Sequence, residues 1–205
     1  METQTDHTLY LFSSDEKSEI QKHVAKYPDK RSAIMPALWV AQNKFGWLSD
    51  GAMKLVSEEL GVPFTQVFGV ASFYTMYLKK RVPKYLFDIC TCFTCGECGG
   101  KEIFEHAKKN LQVDDQGFSN DGLFYLREAE CLAACDTAPV MQVNNRRLVH
   151  RLDMQKMEKV IGELRMGKMP EFEPVPPIDQ SVFAKAAPKA PVAEIKPETE
   201  TKSEE

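Results

Sequence analysis

The sequence predicts an α+β protein in three parts: a small N-terminal helical bundle, a compact α/β layer and a disordered C-terminal tail. Three observations carry this reading. Helix caps, helix stops and helically spaced apolar residues fill residues 13–80. From Lys84 the period changes, and short strand-like runs alternate with helical ones. Residues 171–205 hold half of the chain's 12 prolines, many Glu, Lys and Ala, and few large apolar side chains. Such a stretch buries too little surface to offset its ordering entropy. The predicted boundaries are therefore 1–83, 84–170 and 171–205.

Each element has its own warrant. Ser13 followed by Glu16 offers a capping box, and the helix it opens is expected to run to Tyr27 and stop at Pro28. A second helix fits Asp29 to Phe45, with Ile34, Leu38, Ala41 and Phe45 on one face. Pro36 inside it either kinks the helix or marks its first turn. Ser49 or Asp50 caps a third helix that ends at Leu60, where Gly61 suits a left-handed cap. Pro63 opens a fourth, carrying Val67, Val70, Ala71 and Tyr74. Short helices joined by tight turns make a small bundle. Among its aromatic residues, Trp39, Trp47, Phe68, Phe73, Tyr74 and Tyr77, most are expected in the core, with one or two left to anchor a partner.

In the second part, Tyr85 to Cys90 reads as a strand and Gly100 to Leu111 as a helix with Ile103, Phe104, Ala107 and Leu111 inward. Gly122 to Arg127 reads as a second strand. Val140–Val143 and Arg147–Leu152 pair as a hairpin around Asn144 and Asn145, and Asp153 caps a last helix to about Met166. A strand–helix–strand unit followed by a hairpin and a helix makes an α/β sandwich of thioredoxin-like size.

Composition removes several function classes. The 205-residue chain has a formal net charge of −4, a pI near 5.7 and no long basic run, so nucleic-acid binding is not expected. Arg146, Arg147, His150 and Arg151 come nearest to a basic patch and read more simply as a solvated strand edge. The first residues lack the basic end and apolar stretch of a signal peptide, and no apolar run approaches the ~18 residues of a membrane span. The protein is expected in the cytosol, where clustered cysteines point to metal or redox work rather than structural disulfides.

Four of the six cysteines lie within nine residues, at 90, 92, 95 and 98, and the others follow at 131 and 135. Thiolates are the natural ligands of iron–sulfur clusters, and a cluster needs sulfur from more than one direction. Spacing alone leaves alternatives open. Cys92-Phe-Thr-Cys95 at a strand end suits a thioredoxin-type disulfide. Zinc is poorly matched, because the second pair is Cys-x3-Cys and none of His7, His23, His106 or His150 is close in sequence to either pair. Cys90, Cys95 and Cys98 reproduce the spacing of plant-type ferredoxins. A fourth set is Cys90 and Cys95 with Cys131 and Cys135. Gly96, Gly99 and Gly100 on one loop, and Ala133 and Ala134 on the other, let backbone amides approach sulfur, which favours a cluster over a bare disulfide. The chain has no Gly-rich dinucleotide motif, so it is not expected to bind NADH or flavin by itself.

Two segments carry a specific resemblance. Ile89-Cys-Thr-Cys-Phe-Thr-Cys-Gly-Glu-Cys-Gly-Gly100 and Glu130-Cys-Leu-Ala-Ala-Cys-Asp-Thr-Ala-Pro-Val-Met-Gln-Val-Asn144 resemble the two cluster-binding segments of the NuoE-like family. These are the small thioredoxin-like [2Fe–2S] ferredoxin subunits of NADH:quinone oxidoreductase (respiratory complex I). Tyr27–Pro36 and Val67–Tyr77 look like the family's helical N-terminal domain, and the resemblance covers roughly residues 14–167. It implies one [2Fe–2S] cluster held by Cys90, Cys95, Cys131 and Cys135. Cys92 and Cys98 depart from the family pattern, as spare thiols or as members of an alternative set. The resemblance also implies partner subunits, one carrying flavin mononucleotide and NADH and another a larger iron–sulfur protein. The whole would sit peripherally on the cytoplasmic side of the inner membrane. Equivalent subunits of an NAD-linked hydrogenase or formate dehydrogenase share these motifs. A thiol–disulfide oxidoreductase and a zinc-stapled interaction module are the alternatives from other classes.

Overall fold

The structure, a computed structural model, describes residues 10–171. Apart from Glu171, the tail expected to be disordered lies outside the described residues. Helix α1 spans Ser14–Val24 and opens with the expected capping box, in which Ser13 and Glu16 each accept the other's backbone N–H. It stops three residues before Tyr27, because Lys26 and Tyr27 turn back through i→i−3 bonds to His23 and Val24. The next segment divides in two. Asp29 caps a 3-10 turn over Lys30–Ala33, and α2 then runs Ile34–Phe45. Pro36 thus falls in the first turn of α2, where its missing N–H breaks no helical bond. Helix α3, Asp50–Leu60, is capped by Ser49 and closed by Gly61 at φ +63°; α4 spans Phe64–Phe73.

These helices share one apolar core that includes Ile20, Leu38, Ala41, Val56, Leu60, Val67, Ala71 and Tyr77. The Tyr77 hydroxyl donates to the Met35 carbonyl at 2.9 Å. Burial raises the Tyr77 pKa, so the phenol stays neutral. The expectation that most bundle aromatics are core residues fails on α4. That helix buries Val67 and Ala71, so the opposite positions face outward: Phe68, Tyr74 and Phe73 are exposed, Phe73 to 78%, together with Phe64. The result is an apolar helix face without a charged residue.

Strands β1 (Tyr85–Cys90), β2 (Phe124–Ala129), β3 (Met141–Val143) and β4 (Arg147–Val149) form one sheet in the order β2-β1-β3-β4. β1 and β2 are parallel, with Tyr85 opposite Phe124 and Cys90 opposite Ala129. The other two pairings are antiparallel. Between β1 and β2 come a five-residue helix α5 (Phe93–Glu97) and α6 (Gly100–Leu111); α7 (Met154–Arg165) closes the fold. Ile103, Ala107 and Leu111 of α6, and Met157, Val160 and Ile161 of α7, pack with Phe87, Ile89 and Phe124 of the sheet. β1 is buried on both faces, so its sequence reads as a nearly continuous apolar run interrupted only by Asp88.

Three boundaries differ from the expectation. Helix α5 has no counterpart in the sequence reading, since five residues are too few to show a period. β2 begins two residues late, because Gly122 lies at φ +67° in a turn where the Asp121 carboxylate accepts the Leu123 N–H. β4 stops at Val149, as Arg151 adopts φ +46°. The expected basic strand edge is also corrected. His150 is buried, 4% exposed, and Arg146 donates to Asn43 of α2 at 2.9 Å, so the cluster is not one solvated edge.

Candidate metal centre

The carboxyl end of β1 delivers Cys90 into the core, and α5 returns Cys95 beside it. Both are buried with Val140 in a small apolar cluster completed by Leu132, Ala134 and Ala138. The turn between them is tight enough to exclude a side chain at Gly100. A Cβ there would sit 2.7 Å from the carbonyl oxygens of both Cys90 and Cys95. This glycine therefore serves close approach of backbone to backbone, rather than the amide-to-sulfur role read from sequence. Gly96 is tight in the same way, against the Thr91 carbonyl.

The second pair lies on the loop after β2. Cys131 follows Glu130, and Cys135 begins a three-residue 3-10 turn, Cys135–Thr137, that leads to a cis Ala138–Pro139 peptide and β3. Here the amide–sulfur expectation holds. Ala133 adopts φ +55° and its N–H donates to Cys131 Sγ at 3.3 Å. The Val140 backbone likewise hydrogen-bonds to the Cys95 thiol. Cys90 Sγ lies 3.9 Å from the Glu130 carbonyl, so the two loops touch at the site.

Burial pushes the Cys95 thiol up to about 11. Its hydrogen bond with Cys90 and the negative potentials of Cys90 and Cys135 add to the rise. Cys135 thus reaches the same electrostatic field as the buried pair. All six cysteines are free, and Cys92, Cys98, Cys131 and Cys135 are exposed. Cys92 caps the start of α5 and Cys98 its end, both outside the buried cluster. Among the described residues, no three His, Cys, Asp or Glu side chains already converge as a metal-binding group. The fit therefore rests on donor chemistry. Two protonated, desolvated thiols packed together are poor nucleophiles but ready soft-metal ligands, because a cation lets them ionise in place. Two further thiols face them on a loop with an amide already aimed at sulfur.

Sequence reasoning missed several residues around the centre. Val140 and Thr137 carried no signal beyond adjacency to a cysteine, and His150 was assigned to the surface. Asp88 stood out only as a charge inside an apolar strand, which is itself the sign of a buried partner.

A helical bundle beside an α/β sandwich, with two cysteine loops meeting at a strand end, defines a small thiol-ligated redox protein. The profile of the thioredoxin-like [2Fe–2S] ferredoxin family matches residues 20–165, and the chain belongs to that family. It is 37% identical over 161 residues to a NuoE-like NADH-quinone oxidoreductase subunit of Rickettsia conorii, covering 77% of this chain and 96% of that one. To NADH-quinone oxidoreductase subunit 2 of Thermus thermophilus it is 33% identical over 159 residues, covering 77% and 88%. A NuoE-like NADH-quinone oxidoreductase subunit of Mycobacterium bovis is 39% identical over 121 residues, covering 59% of this chain but only 48% of that relative. Among solved structures, an NAD+-reducing [NiFe]-hydrogenase in the H2-reduced state matches 65% of this chain and 22% of its own, with a TM-score of 0.55 at 18% identity. That likeness concerns the fold alone.

Proposed function

We propose that this chain is the [2Fe–2S] electron-transfer subunit of the NADH-oxidising module of NADH:quinone oxidoreductase. It exchanges one electron with a flavin on a partner subunit. The observation that carries the reading is the buried Cys90–Cys95 pair at the end of β1, with Cys135 in its electrostatic field and Cys131 on the same facing loop. These four residues hold the cluster. Residues 1–83 act as a helical docking domain and 84–170 as the cluster domain, a division supported by their separate apolar cores.

When bound, a [2Fe–2S] cluster supplies a one-electron redox couple. The chain's own residues do the rest. Val140, Leu132 and Ala138 exclude water from Cys90 and Cys95. The Ala133 and Val140 amides donate toward Cys131 and Cys95, which stabilises thiolate charge. Phe93, 82% exposed on α5 beside these thiols, gives the tip an apolar surface for a redox partner. No helix among the described residues is long and apolar enough to cross a membrane. In this reading the chain sits at the cytoplasmic side of the inner membrane through its flavin- and NADH-binding partner and the larger iron–sulfur subunit. FMN and NADH belong to the partner.

The thiol–disulfide alternative is disfavoured by Cys95, whose raised pKa is the opposite of an activated thiol. An equivalent role in an NAD-linked hydrogenase keeps some support from the shared fold, yet the relatives of 33–39% identity are quinone-reductase subunits. Addition of NADH under anaerobic conditions tests the reading. The visible bands of the loaded protein should bleach only when the flavin-bearing partner is present; bleaching of the isolated chain by NADH would overturn the assignment of NADH and flavin to the partner.

A further inference from the structure

A buried chain of hydrogen bonds runs from the last strand into the second cysteine loop. Thr137 ends the short turn that begins at Cys135. Its Oγ1 lies 3.2 Å from the Ala134 carbonyl and 2.7 Å from His150 Nδ1. A carbonyl can only accept, so the hydroxyl proton goes to Ala134. Oγ1 must then receive a proton from the imidazole, which sets His150 as the Nδ1–H form. The direction is His150 Nδ1–H to Thr137 Oγ1, and Thr137 O–H to Ala134 C=O. Thr137 and His150 are 2% and 4% exposed.

The far end of this chain is anchored. Lys156 of α7 donates to the His150 carbonyl at 2.8 Å. Arg151 N donates to Thr137 O and Leu152 N to Pro139 O, each at 2.8 Å. The near end is the peptide between Ala134 and Cys135, whose carbonyl also receives the Thr137 N–H at 3.2 Å. Cys135 itself is exposed, and Ala133 just before this peptide is held at φ +55°. The orientation of Cys135 is therefore set from behind, through Ala134, rather than by packing of its own side chain.

We propose that Thr137 and His150 are positioning residues for Cys135, holding the exposed loop in the conformation that receives the metal centre. This rests on the ligand set proposed above and extends it to residues that touch no metal. A thiol that is already oriented loses less conformational freedom on binding, and partners that orient metal ligands typically account for 10–100-fold in metal retention.

The test uses the full chain, reconstituted anaerobically, with two readouts. These are the half-life of the visible absorption under an iron chelator and the electron paramagnetic resonance spectrum of the reduced protein. Thr137→Val keeps the shape and removes the hydroxyl; it should shorten the half-life by about tenfold or more and change the resonance line shape. Thr137→Ser should restore both. His150→Phe, which removes the donor at the other end, should behave like Thr137→Val and carries the test if that variant does not fold. Val160→Ala, a core change in α7, controls for plain loss of stability and should move neither readout. Wild-type behaviour in both Thr137→Val and His150→Phe would overturn the proposal, as would a Val160→Ala protein that matches them. A cluster retained unchanged in Cys135→Ser is a different failure, one that removes the ligand assignment itself and this inference with it.

Discussion

Asp88, buried in the middle of β1, is gripped by Arg127 of β2 through both carboxylate oxygens, at 2.7 and 2.9 Å. The two residues are directly opposite in the parallel register. The same guanidinium donates its remaining nitrogen to the Thr75 carbonyl at 3.0 Å, in the segment that leaves α4. One side chain thus joins the strand that ends at Cys90 to the helical part of the chain.

Breaking that pair from one side should be costly. Arg127→Met leaves a carboxylate uncompensated inside the sheet, and denaturant unfolding of the apoprotein should lose about 3 kcal/mol. That is the low end for a buried pair, since Arg127 keeps a quarter of its side chain exposed. The double change Asp88→Leu with Arg127→Met should recover most of the loss. Equal stability of the single variant and wild type would refute a structural role for the pair.

Thiol reactivity in the metal-free protein should follow burial. At pH 8, mass spectrometry after brief iodoacetamide treatment should find Cys92 and Cys98 modified well before Cys95. The sign of the pH effect follows from the same shift. The Cys95 pKa is raised on folding, so its contribution to stability is complete below the unfolded value of ~8.5 and is lost as pH rises toward about 11. Apoprotein melting should fall across that window, and Cys95→Ser should flatten the fall.

The ligand set makes a sharp division among six thiols. Serine at 90, 95, 131 or 135 should abolish or perturb the visible bands, while Cys92→Ser and Cys98→Ser, which lie outside the buried cluster, should leave them intact. Loss of the bands in Cys98→Ser would favour the alternative of Cys90, Cys95 and Cys98 acting together.

The uncharged face of α4 should matter for assembly rather than folding. Phe68→Lys with Phe73→Lys replaces two exposed rings, so unfolding stability should stay within about 0.5 kcal/mol per site. Co-purification with the flavin-bearing partner should weaken. An unchanged complex would remove this face from the interface.

What could be read from the sequence was set by how local the signal is. Ser13, Ser49, Gly61 and Asp153 mark helix ends through neighbours three or four residues away, and each appears where the pattern put it. β1 was legible to the residue because it is apolar on both faces. The cysteines stood out by spacing, and the resemblance selected four of them. Long-range contacts left no such trace. Thr137 and His150 are 13 residues apart, and Asp88 and Arg127 are 39 apart. Phe73 and Tyr74 look like core residues until the buried face of α4 is known. Gly100 announces a constraint, but only the carbonyls of Cys90 and Cys95 say which one.

Analysis of iron and acid-labile sulfide in the anaerobically reconstituted chain, with the electron paramagnetic resonance spectrum after reduction, bears on everything proposed for Cys90, Cys95, Cys131 and Cys135. The account predicts iron and sulfide in equal amounts, a reddish-brown protein, and a spin-half signal that appears on one-electron reduction. A colourless protein that holds zinc, or no metal, after the same treatment would contradict it.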